Sequence, residues 1–123
     1  RSNILTDKLG RVIVAPGHIR DLVTQQQTAI TGTAETTILT AVAATFLDIS
    51  TLVITNAANQ ATTVTIKDAT AGTTRAIFDL AANGGIVLNL PVPWKQAVVN
   101  NNWTATQTGA GTIHVFAIAA QNI

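Results

Sequence analysis

From residue 27 onward, turn-forming residues divide the chain into short runs rich in Thr, Val and Ile, at intervals of roughly 8–12 residues. These residue types favour the pleated, half-buried surface of a sheet. The spacing predicts an all-β fold, an antiparallel β-sandwich of jelly-roll type with about eight strands. The candidate strands are Thr28–Ile30, Thr36–Val42, Phe46–Asn56, Thr62–Asp68, Thr74–Leu80, Gly85–Leu90, Trp103–Gln107 and Thr112–Ala119.

One of these segments, residues 33–49, also fits a helix. Its apolar side chains Ile38, Leu39, Val42 and Phe46 fall near helical spacing, and Thr33 could cap the helix. Its many β-branched residues favour a strand because their side chains lose rotamer freedom in a helix. We therefore predict a strand here.

The first 26 residues are predicted to form an N-terminal arm, and residues 27–123 a single sandwich domain. Six of the thirteen Asp, Glu, Lys and Arg residues lie in the first 21 positions. The run Gln25–Gln27 is expected to be a hinge or the lead into the body. Residues 12–15 could form a short strand that ends at Pro16-Gly17.

The arm contains too many apolar residues to resemble an ordinary disordered tail. We predict that it docks on a neighbouring subunit or another protein, although a mobile terminus is the alternative. The predicted contact residues of the arm are Leu9, Arg11, Val12, Ile13, Val14, His18, Ile19, Arg20 and Asp21.

The body carries unusually little charge. Charged residues are 11% of the chain, whereas about a quarter is usual for a soluble domain. Two segments, residues 52–54 and 113–119, do not alternate cleanly and carry apolar side chains on both faces, so the second apolar face needs a second protein partner. We predict a homo-oligomer. Its interface candidates are Leu52, Ile54, His114, Phe116 and Ile118.

Little in the chain indicates catalysis or a cofactor. Without Cys there are no thiolate ligands or nucleophiles, and His18 and His114 lie far apart in sequence. Ser2 and Ser50 lack a nucleophile-elbow pattern, and no phosphate-binding loop is visible. The net charge of +1 does not indicate nucleic acid or a membrane surface as a partner. We predict no enzymatic activity, no metal and no cofactor.

Residues 64–80 concentrate four charges: Lys67, Asp68, Arg75 and Asp79. Pairing even positions with even positions collects Val64, Ile66, Ala76, Phe78 and Leu80 on one apolar face. Burying them, at about 1.5–3 kcal/mol each, outweighs a surface ion pair worth about 0–1 kcal/mol. This register predicts a hairpin closed by a positive φ at Gly72. Asp68 would cap the turn, and the other three charges would lie on the outer face.

Two further features concern turns and aromatic residues. The run Asn83-Gly84-Gly85 predicts a tight hairpin turn. Trp94 and Trp103 flank an Asn- and Gln-rich stretch, so an exposed pair could form a platform for a carbohydrate ligand. The alternative is that each Trp caps one end of the core.

Four stretches, TDKLGRVIVAPGHIRDLV, VTIKDATAGTTRAIFDLAANGG, PVPW and NNWTATQT, together resemble small β-sandwich virion proteins of tailed bacteriophages. These are accessory proteins of the head-decoration or head-fibre-base kind, with some relatives in tails. The resemblance spans most of the chain, and its motifs are structural.

The resemblance implies a non-enzymatic capsid decoration protein that binds the particle surface and stabilises it or anchors fibres. The implied partners are its own copies, often as a trimer, and the major capsid protein or another virion protein. The implied location is the virion, assembled in the bacterial host cytoplasm. The alternative function is a carbohydrate- or receptor-binding module of a phage tail or fibre.

Overall fold

The computed structural model describes residues 22–122, which form eight strands and no α-helix. Sheet I has the strand order β1-β8-β3-β6 and sheet II the order β2-β7-β4-β5, and all strand pairs are antiparallel. The strands are β1 Val23–Thr31, β2 Thr36–Leu39, β3 Phe46–Asn56, β4 Thr62–Asp68, β5 Thr73–Leu80, β6 Gly85–Trp94, β7 Trp103–Gln107 and β8 Thr112–Asn122.

The strand order confirms the predicted jelly roll. Strand β1 pairs with β8, β2 with β7, β3 with β6 and β4 with β5, as in one long hairpin that is rolled into two sheets. Residues 33–49 contain strand β2 and the start of β3, so the strand interpretation of that segment is confirmed.

The core fills the space between the sheets with alternating side chains of each strand. In β4, for example, positions 62, 64, 66 and 68 are buried, and the positions between them are partly exposed. Trp103 is the largest fully buried side chain, and its Nε1 donates a hydrogen bond of 2.7 Å to the Leu47 carbonyl oxygen. Burial therefore does not leave the indole N–H without a partner.

A bulge in β3 explains why part of the predicted oligomer interface is wrong. The register with both neighbouring strands shifts between Ile49 and Thr51. The extra residue lets Ile49 and Leu52, three positions apart, both face the core. Leu52 and Ile54 are fully buried, so they belong to the core and not to a subunit interface.

Several strand ends differ from prediction. β1 begins at Val23, so Gln25–Gln27 lies within a strand and the predicted boundary after residue 26 falls inside β1. β2 ends at Leu39, before a turn in which Ala44 has φ 53°. β6 continues to Trp94 through two prolines, which an edge strand tolerates because one side of its backbone has no ladder partner.

The hairpin of β4 and β5 has the predicted even register. Val64 pairs with Phe78 and Ile66 with Ala76. The turn differs from the prediction of a positive φ at Gly72. Ala69 and Ala71 have the positive φ values, 75° and 54°, and Gly72 is not in the left-handed region. Gly72 is instead required for space, since a Cβ there would collide with the Asp68 carbonyl oxygen.

The turn at Asn83-Gly84 is tight, as predicted, but it does not close a hairpin. Asn83 has φ 55°, and Gly84 N donates to the Ala81 carbonyl oxygen at 3.0 Å. The turn carries the chain from β5 in sheet II to β6 in sheet I. Sequence spacing alone does not distinguish a hairpin from such a crossing between sheets.

Candidate interaction surface

Charge is distributed unequally between the two sheets. The strands of sheet I contain one Asp, Glu, Lys or Arg residue, Asp48, whereas those of sheet II contain four: Lys67, Asp68, Arg75 and Asp79. A face exposed to water usually carries charge. The outer face of sheet I, the side away from the core, therefore carries less charge than is usual for a surface in contact with water.

Three cross-strand rows make up the centre of this outer face. The middle row is Gln27, Phe116, Val53 and Val87; the flanking rows are Ala29, His114, Thr55 and Gly85, and Gln25, Ile118, Thr51 and Asn89. The middle row thus places three apolar side chains on three adjacent strands. Val87 is 65% exposed, and Val53 and Phe116 are half-buried.

Asp48 lies at one end of this face, where other groups satisfy its carboxylate. Asp48 Oδ1 accepts a hydrogen bond from Gln96 N at 2.9 Å, and Oδ2 accepts one from Asn122 Nδ2 at 2.6 Å. The carboxylate therefore fixes the end of β8 and the segment after β6. The three rows themselves contain no carboxylate, ammonium or guanidinium group.

The structure places three of the five predicted interface residues together. His114, Phe116 and Ile118 lie on the outer face of sheet I, since their neighbours Ile113, Val115 and Ala117 are buried. The sequence interpretation missed Val53 and Val87. Strict alternation around the buried Leu52 and Ile54 would have assigned Val53 to the outside, and only the pairing with β6 brings Val87 beside it.

The outer face of sheet II has a different character because polar groups partner one another there. Thr63 Oγ1 donates to Asp79 Oδ1 at 2.7 Å. Glu35, just before β2, accepts hydrogen bonds from Thr104 Oγ1 at 2.5 Å and from Ala71 N at 2.9 Å. The hydrogen bond from Thr104, then that from Ala71, and the nearby Lys67 lower the pKa of Glu35 below its ordinary value.

The charged cluster of the hairpin is arranged differently from the prediction. Asp68 is buried, and its Oδ2 accepts a hydrogen bond from Ala97 N at 2.8 Å, far from the predicted turn amides. Arg75 Nη1 lies 3.5 Å from the same oxygen and donates to the Lys95 carbonyl oxygen at 2.6 Å. Its guanidinium carbon is 5.6 Å from the ring centroid of Trp103.

A bulge accounts for the position of Arg75. Ile66 pairs with Ala76 but Lys67 pairs with Thr74, so Arg75 has no partner on β4. A bulged residue turns its side chain away from strict alternation. Arg75 therefore covers Trp103 and fastens the loop after β6, whereas Asp79 stays on the outer face as predicted.

The two tryptophans do not form an exposed platform. Trp103 is fully buried beneath Arg75. Trp94 is half-buried and stacks on Phe78, with ring centroids 6.5 Å apart and an interplanar angle of 13°. Trp94 thus closes the β5 and β6 side of the core, which is the alternative that the sequence left open.

A separate open groove of about 510 Å³ lies at the end of the sandwich formed by the loops around residues 40, 70 and 100. Its polar groups partner each other: Asn102 Nδ2 donates to Thr37 Oγ1 and Thr70 Oγ1, both at 3.0 Å. Asn102 Oδ1 accepts a hydrogen bond from Thr70 N at 3.1 Å. Asn102 therefore organises this end of the sandwich.

Other chemistry-bearing side chains are dispersed in the part of the chain that the structure describes. Within residues 22–122 no three His, Cys, Asp or Glu side chains are close enough to hold a metal ion. The same residues include no helix of the length and apolarity needed to cross a bilayer. The predicted arm contacts from Leu9 to Asp21 lie outside the described residues.

No model of a known protein family matches the chain, and no curated protein is significantly similar to it.

Proposed function

We propose that this protein is a non-enzymatic structural subunit of a tailed-phage virion, a decoration protein that binds the particle surface as a homo-oligomer. The part of the proposal that concerns phage comes from the resemblance of its sequence motifs to small virion proteins. The part that concerns association comes from the fold, in which the three central rows on the outer face of sheet I carry apolar and uncharged polar side chains and no Asp, Glu, Lys or Arg.

One observation carries the association: the middle row of sheet I, with Val53, Val87 and Phe116 on adjacent strands and no charged group beside them. Apolar area left in water is unfavourable by about 25 cal/mol per Å². A face without charge can meet a copy of itself without like-charge repulsion. The outer face of sheet I is therefore the subunit interface of the proposal.

The interface is tested with a matched pair of lysine substitutions. Val87 and Ile77 are similarly exposed, at 65% and 60%, but Val87 lies on sheet I and Ile77 on sheet II. We expect Val87→Lys to lower the mass of the oligomer and Ile77→Lys to leave it unchanged, as measured by sedimentation velocity. Equal effects of the two substitutions would contradict an interface on sheet I.

Particle binding is tested separately. In the proposal, residues 1–21 supply contacts to the capsid, with Arg11, Arg20 and Asp21 setting the register. Particles lacking the protein are mixed with the full chain or with a chain that starts at Leu22, and bound protein is counted by electron microscopy. We expect the short chain to lose occupancy. Full occupancy by the short chain would reject the arm as the docking element.

A further inference from the structure

The sandwich has four edge strands: β1 and β6 border sheet I, and β2 and β5 border sheet II. An edge strand presents unpaired backbone N–H and C=O groups, which can add a strand from another chain. Proteins suppress this with short strands, bulges, charged side chains or prolines at the edge.

Three of the edges carry such protection. β2 has four residues and a register shift between Thr37 and Leu39. β5 contains a bulge at Arg75 and a second charge at Asp79. β6 contains Pro91 and Pro93, which have no N–H to donate.

The fourth edge, β1, carries none. It has nine residues, Val23–Thr31, without Pro, Asp, Glu, Lys or Arg, and its register with β8 is unbroken. Among the described residues β1 pairs only with β8. The neighbouring β2 is held to it by side chains, since Gln26 Oε1 accepts hydrogen bonds from Thr40 N and Thr40 Oγ1, both at 3.0 Å.

We propose that the free edge of β1 pairs antiparallel with β1 of a second copy of the chain. Two identical antiparallel strands are related by a two-fold axis, so the contact is self-complementary. Sheet I then continues across the axis as one eight-stranded sheet, and its outer face continues with it. This contact is a second one, distinct from association through the outer face.

The composition of β1 favours a copy of itself as the partner. Its middle is Gln25–Gln27, and the exposed side chains of Gln25 and Gln27 lie on the outer face. Side-chain amides that both donate and accept can form hydrogen bonds with the same amides of a second copy, as in glutamine ladders. A charged partner strand would find no opposite charge on β1. A second copy of β1 is itself uncharged, so pairing with it causes no charge repulsion.

The experiment uses the full chain with Val87→Lys, which disrupts association through the outer face, because Gln27 lies in the middle row of that face as well as on β1. Two opposite charges are then introduced at this exposed position, Gln27→Lys and Gln27→Glu. Gln26, which holds β2, is left unchanged. Like charges facing each other across the axis weaken pairing, so we expect each variant alone to raise the dimer Kd by at least about tenfold. Mixed in equal amounts, the two variants should form a heterodimer, detected by native mass spectrometry.

Hydrogen exchange of the peptide covering residues 23–31 reports the backbone contact directly. In the wild type we expect its exchange to slow as concentration rises, and in Gln27→Lys to stay fast. Ile77→Lys, on the protected edge strand β5, is the control and should behave as wild type. Retained cooperative unfolding of each variant shows that the fold survives.

Three results would overturn the proposal. One is dimerisation unaffected by either charge at position 27. The second is slow exchange of residues 23–31 in a monomer at every dilution, which would mean that another segment of the same chain covers the edge. The third is an oligomer in which residues 23–31 exchange freely; association through the outer face of sheet I, and with it the proposed function, would then remain.

Discussion

Asp68 connects three parts of the molecule through one buried carboxylate oxygen. Its Oδ2 accepts from Ala97 N and lies within reach of Arg75, whereas Oδ1 is buried with no hydrogen-bond partner among the described residues. The residue thus fixes the loop after β6 against the end of β4. The sequence distinguished Asp68 from the exposed Asp79, but it assigned Asp68 to the hairpin turn and not to the loop after β6.

Replacing Asp68 should therefore be costly. We expect Asp68→Ala to lower the free energy of unfolding by about 2–3 kcal/mol, because the Ala97 amide and Arg75 lose their acceptor. Asp79→Ala, which removes an exposed bond to Thr63, should cost less than about 1 kcal/mol. Urea denaturation followed by circular dichroism measures both, and similar losses would contradict the structural role of Asp68.

Glu35 makes stability depend on pH. Its pKa is lowered from 4.5 in the folded protein, chiefly by the hydrogen bond from Thr104. A lowered folded pKa means that the carboxylate stabilises the protein above the unfolded pKa, and that this contribution is lost as pH falls through the folded pKa.

We expect Glu35→Gln to destabilise the protein at neutral pH by about 1 kcal/mol or less, since Glu35 lies near solvent. The difference between wild type and variant should shrink as pH falls below 4.5 and through the lowered folded pKa of Glu35, because the carboxylate is then protonated. Urea midpoints measured from neutral pH into acid test this. A difference that stays constant or grows in acid would be contrary to the assigned contacts.

At the scale of strands, the bulge in β3 decides which residues form the core. Ser50 is the extra residue, and its hydroxyl donates to the Ile118 carbonyl oxygen at 3.2 Å. If Ser50 were paired as a regular strand residue, residues 47 and 49 would lie on the opposite face from Leu52 and Ile54.

Deleting Ser50 removes the extra residue, so Leu47, Ile49, Leu52 and Ile54 would alternate onto one face of a regular strand. We therefore expect the deletion variant to fold cooperatively and to lose about 1 kcal/mol or less, the contribution of the Ser50 hydrogen bond. Ser50→Ala keeps the bulge and should cost about 1 kcal/mol or less. Thermal and urea unfolding curves measure both variants. A deletion variant that does not unfold cooperatively would contradict this and would mean that pairing with β6 or β8 requires the bulge itself.

Strand prediction succeeded where alternation was regular. The even register of β4 and β5 followed from five apolar side chains that share one face. It failed at Arg75 and Leu52, because a bulge shifts the pairing by one residue without leaving a mark in the hydrophobic pattern. Gly72 was expected to supply a positive φ, but the turn uses two alanines for that and needs glycine for space.

At the scale of the whole molecule, every buried apolar residue of the described core lies between Ile30 and Ala119. We expect a chain that starts at Leu22 to fold with a thermal midpoint within about 4 °C of the full chain, equivalent to less than about 1 kcal/mol. A chain that starts at Gly32 lacks β1 and should not fold cooperatively. Calorimetry measures both. A large loss on removing residues 1–21 would mean that they contribute to the core.

The low charge of the chain indicated an interface but not its position. Three residues of the candidate interaction surface, His114, Phe116 and Ile118, could be predicted from the sequence because they lie in one largely apolar strand. Val87 could not, since it is 29 positions from Phe116 and joins the same row only through β3. The arm residues from Leu9 to Asp21 stay a prediction.

The sequence by itself determined the class of fold, the number of strands and most of their positions, since turn residues and β-branched runs act locally. Tertiary structure decided which of two apolar faces became the core, where Arg75 and Asp68 point, and which edge strand was left unprotected. These depend on bulges and on pairing between distant strands, and the free energy that selects them comes from burying all the core side chains at once.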